Sequence, residues 1–105
     1  EIGAAGSTGR GESNIMVCGG FLTVEHMRRG MKPADAALET IKRVVAMTPP
    51  RLLLPNGRTR FQLTFYALNK RGDAGAASLF PNRYATFDGK DAVVRDTAYL
   101  WERAQ

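Results

Sequence analysis

Eleven residues near the start, Gly3-Ala4-Ala5-Gly6-Ser7-Thr8-Gly9-Arg10-Gly11-Glu12-Ser13, have types and spacings that could do chemistry. Four glycines and three other small residues fall within nine positions. A backbone built this way can come very close to a ligand, because no Cβ intervenes and positive φ is cheap. Ser7 and Thr8 add hydroxyls at the centre, and Glu12-Ser13-Asn14 offers N-caps for a following helix whose unpaired N–H groups would point back at the loop. Phosphate binding is the first chemistry to test. Gly6 and Gly11 have the spacing of a nucleotide-binding P-loop, yet Glu12 stands where that loop needs its Lys. A dinucleotide fingerprint starting at Gly9-Arg10-Gly11 needs a third glycine at position 14, which is Asn14, and a hydrophobic strand before it, which is absent from the pattern. Both matches fail at the chemistry, leaving either a site of another kind or a tight turn between strand and helix.

A second candidate pairs Cys18 as nucleophile with His26 as base. The two are eight residues apart in what reads as one helix, about 12 Å along its axis, so the sequence favours a buried packing thiol. His26 has no neighbour with metal-ligand spacing and reads as a surface or packing histidine. A lone cysteine excludes an internal disulfide and a Cys-based metal cage. No metal and no cofactor is called for.

The elements that must position these residues follow an α-then-β order. Asn14 to about Arg29 reads as one helix, with Met16, Leu22, Val24 and Met27 apolar, Arg28-Arg29 at the negative end of its dipole and Gly30 as its stop. Gly19-Gly20 inside it cost about 1 kcal/mol each against Ala and imply close approach of another backbone. Lys32-Pro33 opens a second helix, in which Ala34, Ala37, Leu38, Ile41, Val44 and Val45 form one stripe, and Pro49-Pro50 ends it. Arg51 to Arg60 reads as a connection whose three leucines look exposed. Strands are expected at Phe61–Leu68, at Ala74–Leu79, at Tyr84–Phe87 and at Ala92–Val94, joined by turns at Asn69–Asp73, Pro81-Asn82 and Asp88-Gly89. The small residues of the second strand suit a sheet covered closely on one face. Trp101 is expected to pack against the body. Two helices followed by a meander of antiparallel strands is an α+β arrangement, with residues 1–105 read as a single domain.

Composition sets the outer bounds. At 44% hydrophobic the chain is a folding one, and no apolar run approaches the ~20 residues of a membrane span. Fifteen Lys and Arg against ten Asp and Glu give a net charge of +5, which would suit a nucleic-acid partner. Yet the basic residues are scattered as Arg28-Arg29, Lys42-Arg43, Arg58-Arg60 and Lys70-Arg71 without interleaved aromatics. A solvated surface or an oppositely charged partner subunit accounts for them, and a small basic binding module that never performed catalysis remains the alternative from another functional class.

Taken together, Ala5-Gly6-Ser7-Thr8-Gly9-Arg10-Gly11-Glu12, Val24-Glu25-His26-Met27-Arg28-Arg29-Gly30-Met31-Lys32-Pro33-Ala34-Asp35-Ala36-Ala37 and Phe65-Tyr66-Ala67-Leu68-Asn69-Lys70-Arg71-Gly72-Asp73-Ala74-Gly75-Ala76 carry a resemblance. Over about Gly3 to Phe87 the chain resembles the β subunit of glycosylasparaginases and their relatives, the plant-type asparaginases and isoaspartyl peptidases. The resemblance implies an N-terminal-nucleophile hydrolase, whose precursor cleaves itself so that the new N-terminal Thr attacks a side-chain amide of an asparagine derivative. It implies a four-layer α-β-β-α sandwich, of which this chain would supply one helical layer and several strands. It places Thr8, through its hydroxyl, and Gly9, through its backbone N–H, in an oxyanion hole. Thr8, Gly9, Arg10 and Gly11 become substrate-binding, with the Gly11 carbonyl accepting from the substrate's α-amino group and Arg10 standing where the family often has His or Asn.

The resemblance also implies partners. The nucleophile Thr and the Arg and Asp that hold the substrate's α-carboxylate and α-amino groups belong upstream of the Thr-Gly-x-Gly turn. The chain therefore reads as the C-terminal part of a β subunit, completed by the rest of that subunit and an α subunit, in an (αβ)2 assembly acting on a small asparagine-derived substrate in a periplasmic or lysosome-like compartment, with no nucleic acid and no membrane involved. Pocket residues outside the chain would choose between glycosylasparaginase and asparaginase or isoaspartyl peptidase activity. The borrowed chemistry is self-contained: an α-amino group with a pKa of about 8 can take the Thr proton near neutral pH, and the loss of a preorganised oxyanion donor, a term assigned jointly to Thr8 and Gly9, costs about 2.7–4 kcal/mol in the transition state.

Overall fold

A computed structural model of the chain describes residues 1–103. The glycine-rich start is itself a strand, β1 (Gly3–Gly9), rather than a loop. A Cβ on Gly3 would stand 2.2 Å from the Leu68 carbonyl oxygen and one on Gly9 2.5 Å from the Gln62 carbonyl oxygen, so glycine is required at both ends of the strand. Between them the strand is mostly exposed and lacks the usual apolar alternation.

The helix expected over Asn14–Arg29 is two helices, α1 (Gly11–Val17) and α2 (Gly19–Arg28). The break is Cys18, which adopts the left-handed conformation with φ 51° and ψ 52°, a geometry that costs a non-glycine residue about 1–2 kcal/mol. Packing explains the corner. A Cβ on Gly19 would meet the Phe65 ring at 2.3 Å and the Asn14 Oδ1 at the same distance, whereas the nearest neighbour of a Cβ on Gly20 would be the Ala5 carbonyl at 3.8 Å. The close approach expected at the glycine pair is therefore made at Gly19, by a buried aromatic ring rather than by backbone. Cys18 lies on the outside of the corner and is exposed, which corrects the expectation of a buried thiol. Glu12, Ser13 and Asn14 lie within α1 rather than capping it; the N-cap is Arg10, without a side-chain cap hydrogen bond.

Helix α3 (Pro33–Met47) is where the sequence put it, with Pro at its first position. Ala36, Ala37, Ile41 and Val44 are fully buried, while Leu38 and Val45 flank the core half-buried. Thr40 shares that buried face, and its hydroxyl is 2.7 Å from the Thr23 hydroxyl of α2. The Thr23 hydroxyl is also 2.8 Å from the Gly19 carbonyl, and Thr40 lies 3.2 Å from the Ala36 carbonyl, so two polar side chains satisfy one another at the α2–α3 joint.

Strands β2 (Leu63–Asn69) and β3 (Ala74–Ser78) form the expected hairpin. The Asn69 side-chain oxygen accepts the N–H groups of Arg71 and Asp73, both at 3.0 Å, and Gly72 takes φ 90°. Strand β1 pairs antiparallel with β2 from Gly3↔Asn69 to Gly9↔Leu63. Leu63, Phe65 and Ala77 point toward α3 and build the core with Ile41, Val44 and Leu79. Gly75 is where helix and sheet are tightest, since a Cβ there would lie 2.4 Å from the Ala34 nitrogen. Small residues in β3 thus do serve a closely covered face.

The last third departs from a simple meander. Strands β4 (Arg83–Phe87) and β5 (Ala92–Asp96) form a separate two-stranded sheet, turned at Asp88, whose Oδ1 accepts the N–H groups of Lys90 and Asp91 at 2.8 Å. Strand β6 (Ala98–Tyr99) then returns parallel to β3, giving the order β1-β2-β3-β6 in the larger sheet. Parallel pairing needs a long crossover, and the β4–β5 hairpin supplies it. Trp101 packs on Phe80 with ring centroids 5.7 Å apart, as expected. Leu52, Leu53 and Leu54 are half-buried, not exposed, along a short helical turn and a bridge between Leu53 and Thr59. The described residues thus place one layer of helices on a mixed sheet, an α+β arrangement, and none of their helices is long and apolar enough to cross a membrane.

Candidate active site

The end of β1 sets the geometry of the Thr8–Gly11 turn. Neighbouring residues on a strand point to opposite faces, so the two hydroxyls that look adjacent in sequence are separated. Ser7 points to the helical side, where its Oγ lies 2.8 Å from Asn14 Nδ2. Thr8 points to the other side, where its Oγ1 lies 2.6 Å from the phenol oxygen of Tyr66.

Register decides what the backbone does. Bonds from Arg10 N–H to the Gln62 carbonyl (3.3 Å) and from Lys70 N–H to the Ile2 carbonyl (3.1 Å) bracket the β1–β2 ladder. They identify Gly9↔Leu63 and Gly3↔Asn69 as pairs that exchange no hydrogen bonds with each other. The N–H and carbonyl groups of Gly3, Ala5, Ser7 and Gly9 therefore point away from β2. Strand β1 is at an edge of its sheet among the described residues, so the Gly9 N–H is directed outward instead of into the ladder. Gly9 is exposed and takes φ 118°, a value that favours glycine.

The two following residues are placed differently. Arg10 is extended, and its guanidinium sits 5.6 Å from the centre of the Phe61 ring, with Nη2 4.0 Å from a Glu12 carboxylate oxygen. Its Nε is buried without a hydrogen-bond partner among the described residues. Gly11 opens α1, and a Cβ there would meet nothing within 4 Å. Helical geometry directs its carbonyl toward the N–H four residues on, leaving the oxygen's second lone pair. The described site residues thus combine a hydroxyl and an outward backbone N–H from consecutive residues, Thr8 and Gly9, with a cation and a glycine immediately after them.

Tyr66 is the part of this arrangement that the sequence did not reveal. The alternation in β2 puts it on one face with Thr64, but only the register with β1 brings it diagonally beside Thr8. Its ring is held by Tyr84 of β4, with centroids 6.4 Å apart at 57°. On the same side of the sheet a cleft of about 750 Å³ opens between β1–β3 and the β4–β5 hairpin; Gly6, Tyr66, Tyr84 and Arg95 are among its walls.

Perturbed ionisations lie away from this turn. Glu25 in α2 is pulled from 4.5 down to about 2, chiefly by hydrogen bonds from Arg28 and further by Arg29. Backbone N–H groups of Asp91 and then Lys90 hold the Asp88 carboxyl below its ordinary value. The Glu102 carboxylate, bonded to the Tyr99 phenol, raises that phenol's pKa. No group of three or more His, Cys, Asp or Glu among the described residues is placed to hold a metal ion.

No family model matches the chain. It is 38% identical, over 91% of its length, to an N(4)-(beta-N-acetylglucosaminyl)-L-asparaginase of Elizabethkingia miricola. It is 31% identical, over 90% of its length, to a Drosophila yakuba protein named after the same enzyme. Over 47% of its length it is 39% identical to an Arabidopsis thaliana protein named as an isoaspartyl peptidase/L-asparaginase. The chain spans 25%, 22% and 14% of these relatives respectively, and matches their C-terminal part.

Proposed function

Since the chain belongs to the glycosylasparaginase and isoaspartyl peptidase family, we propose that it is part of an N-terminal-nucleophile amidohydrolase that cleaves the β-amide of a glycosylated asparagine. The observation that carries this reading is the pairing of the Thr8 hydroxyl with an outward-pointing Gly9 N–H at the end of an edge strand. Acyl transfer puts negative charge on the carbonyl oxygen, and two donors held on consecutive residues of one strand can meet it with no heavy atom of the strand moving, the Thr8 proton turning about its C–O bond. Arg10 and Gly11 follow as substrate contacts, the Gly11 carbonyl taking the substrate's α-amino group on its second lone pair.

The nucleophile is a Thr outside these 105 residues, released at a chain terminus by autoproteolysis, with its own α-amino group as base at a pKa of about 8. That the chain spans only about a quarter of the two longer-matching relatives supports its being part of a larger protein; in this reading an α subunit, the rest of the β subunit and their (αβ)2 assembly complete the site. The 105 residues form a single domain-sized piece of a four-layer α-β-β-α sandwich in this reading, contributing one helical layer and part of one sheet.

The longer match, over 91% of the chain, favours glycosylasparaginase, while the shorter one keeps L-asparaginase or isoaspartyl peptidase as the second reading. A basic nucleic-acid module finds less support. Arg28, Arg29, Lys42, Arg71 and Arg83 each have a carboxylate within 4.0 Å, so these five of the fifteen basic residues are locally compensated.

The test is Thr8→Val in the full-length processed protein, assayed on N4-(β-N-acetylglucosaminyl)-L-asparagine, L-asparagine and a β-aspartyl dipeptide. Loss of one oxyanion donor lowers kcat by about 10²–10³ with assembly intact. Turnover within twofold of the parent would remove Thr8 from the site.

A further inference from the structure

The geometry points to Tyr66 as a positioning residue for the Thr8 hydroxyl. This rests on the reading of Thr8 as an oxyanion donor and adds the group that sets the direction of its proton. A Thr hydroxyl has one proton and two acceptor lone pairs. In the 2.6 Å contact with Tyr66 either oxygen can be the donor. If Thr8 gave its proton to Tyr66, it would have none to offer a substrate. Once the Thr8 proton turns to the substrate's carbonyl oxygen, the Tyr66 phenol must be the donor, and the order becomes Tyr66 O–H to Thr8 Oγ1, then Thr8 O–H to the oxyanion. No bond to carbon changes and no proton is transferred. Chained hydroxyls polarise each other, so Thr8 becomes a stronger donor as negative charge builds on the substrate.

Three features suit Tyr66 to this task. Thr8↔Thr64 and Gly6↔Tyr66 are successive pairs on one face, which fixes Tyr66 diagonal to Thr8 by ladder geometry. The ring is half-buried and leans on Tyr84, 6.4 Å away. The phenol can turn about its C–O bond, so it changes from acceptor to donor without moving a heavy atom.

Tyr66→Phe in the full-length processed protein keeps the ring and its Tyr84 contact and removes only the hydroxyl. We expect kcat to fall about tenfold, the scale of one hydrogen bond, with KM within twofold and the melting temperature unchanged. In a Thr8→Val background the same change should have no further effect, because its target is gone. A Tyr66→Phe enzyme with kcat within twofold of the parent overturns the inference. So does an equal loss in both backgrounds, since the phenol would then act elsewhere. If Thr8→Val alone leaves turnover unchanged, the Thr8 reading falls and takes the inference with it; the Thr8 variant measured singly tells this case from the other two. Tyr66→Ile, which removes ring and hydroxyl together, separates packing from positioning: a lowered melting temperature with a kcat loss no greater than that of Tyr66→Phe supports the inference.

Discussion

Gly9→Ala strains the chain at the point where backbone geometry and proposed chemistry meet. At φ 118° a side chain costs about 1–3 kcal/mol in backbone strain alone. The added Cβ would also lie 2.5 Å from the Gln62 carbonyl oxygen and 3.0 Å from the Leu63 Cα. Both are backbone atoms, at and just before the start of β2, so no side chain can swing aside. Ordinary contact begins near 3.4 Å, and relief requires β1 to withdraw from β2 by nearly 1 Å at its last residue. That movement breaks the 3.3 Å bond from Arg10 N–H to Gln62, for about another 0.5–1.5 kcal/mol. Urea unfolding of the variant should show a loss of about 1.5–4.5 kcal/mol, taking strain and hydrogen bond together. The same displacement carries the Gly9 N–H and the Thr8 hydroxyl off target, and a misplacement of about 1 Å is enough to lower turnover about 10²-fold. Gly6→Ala, on the same strand, is the control: a Cβ there meets nothing within 4 Å, so stability should be unchanged or rise by up to about 1 kcal/mol. A Gly9→Ala protein as stable and as active as Gly6→Ala would refute the reasoning.

Two further outcomes follow from other parts of the fold. Gly75→Ala places a Cβ 2.4 Å from the Ala34 nitrogen and 2.8 Å from its Cα, so the first turn of α3 must lift from the sheet at about 1–3 kcal/mol; an unfolding midpoint equal to the parent's would show that α3 does not approach β3 this closely. Glu25 ionises at about 2 in the folded chain against 4.5 without its Arg28 and Arg29 partners. Its folded value is the lower one, so the pairing is fully stabilising above pH 4.5 and fades as pH falls toward 2. A carboxyl carbon resonance followed by NMR should titrate near 2 at low salt and move toward 4.5 at high salt, and a midpoint of 4.5 at low salt would exclude the pairing.

The parts of this protein that its sequence determined are those whose causes are local. Pro33 at the first position of α3, the repeat through Ala37, Ile41 and Val44, and the Pro49-Pro50 stop define a helix without reference to anything else. Asn69 and Asp88 close their turns by bonding backbone two to four residues on, which side-chain length alone permits. The Thr8-Gly9 pair stands out only through the family resemblance, since the spacing of its glycines by itself fits no phosphate loop and leaves a plain turn open. Tertiary structure decided the rest, because the deciding partner is distant in the chain. Strand β1 escapes sequence patterning since it is mostly exposed, and its terminal glycines, Gly3 and Gly9, answer to the closeness of the Leu68 and Gln62 backbone. The corner at Cys18 exists to seat Gly19 on the Phe65 ring, which lies in a strand formed much later. Turning the thiol outward is a consequence of that corner, and no helical periodicity encodes it. Strand β6 could not be placed by hairpin logic because it pairs in parallel beyond the β4–β5 excursion. Ser7 and Thr8 go to opposite faces by the pleat, but only the register Gly6↔Tyr66 sets the Tyr66 phenol against Thr8. A one-residue slip of β1 against β2 would exchange the two hydroxyls and send Ser7 to Tyr66 instead. Residue types supply the candidate groups, and long-range register selects which of them meet.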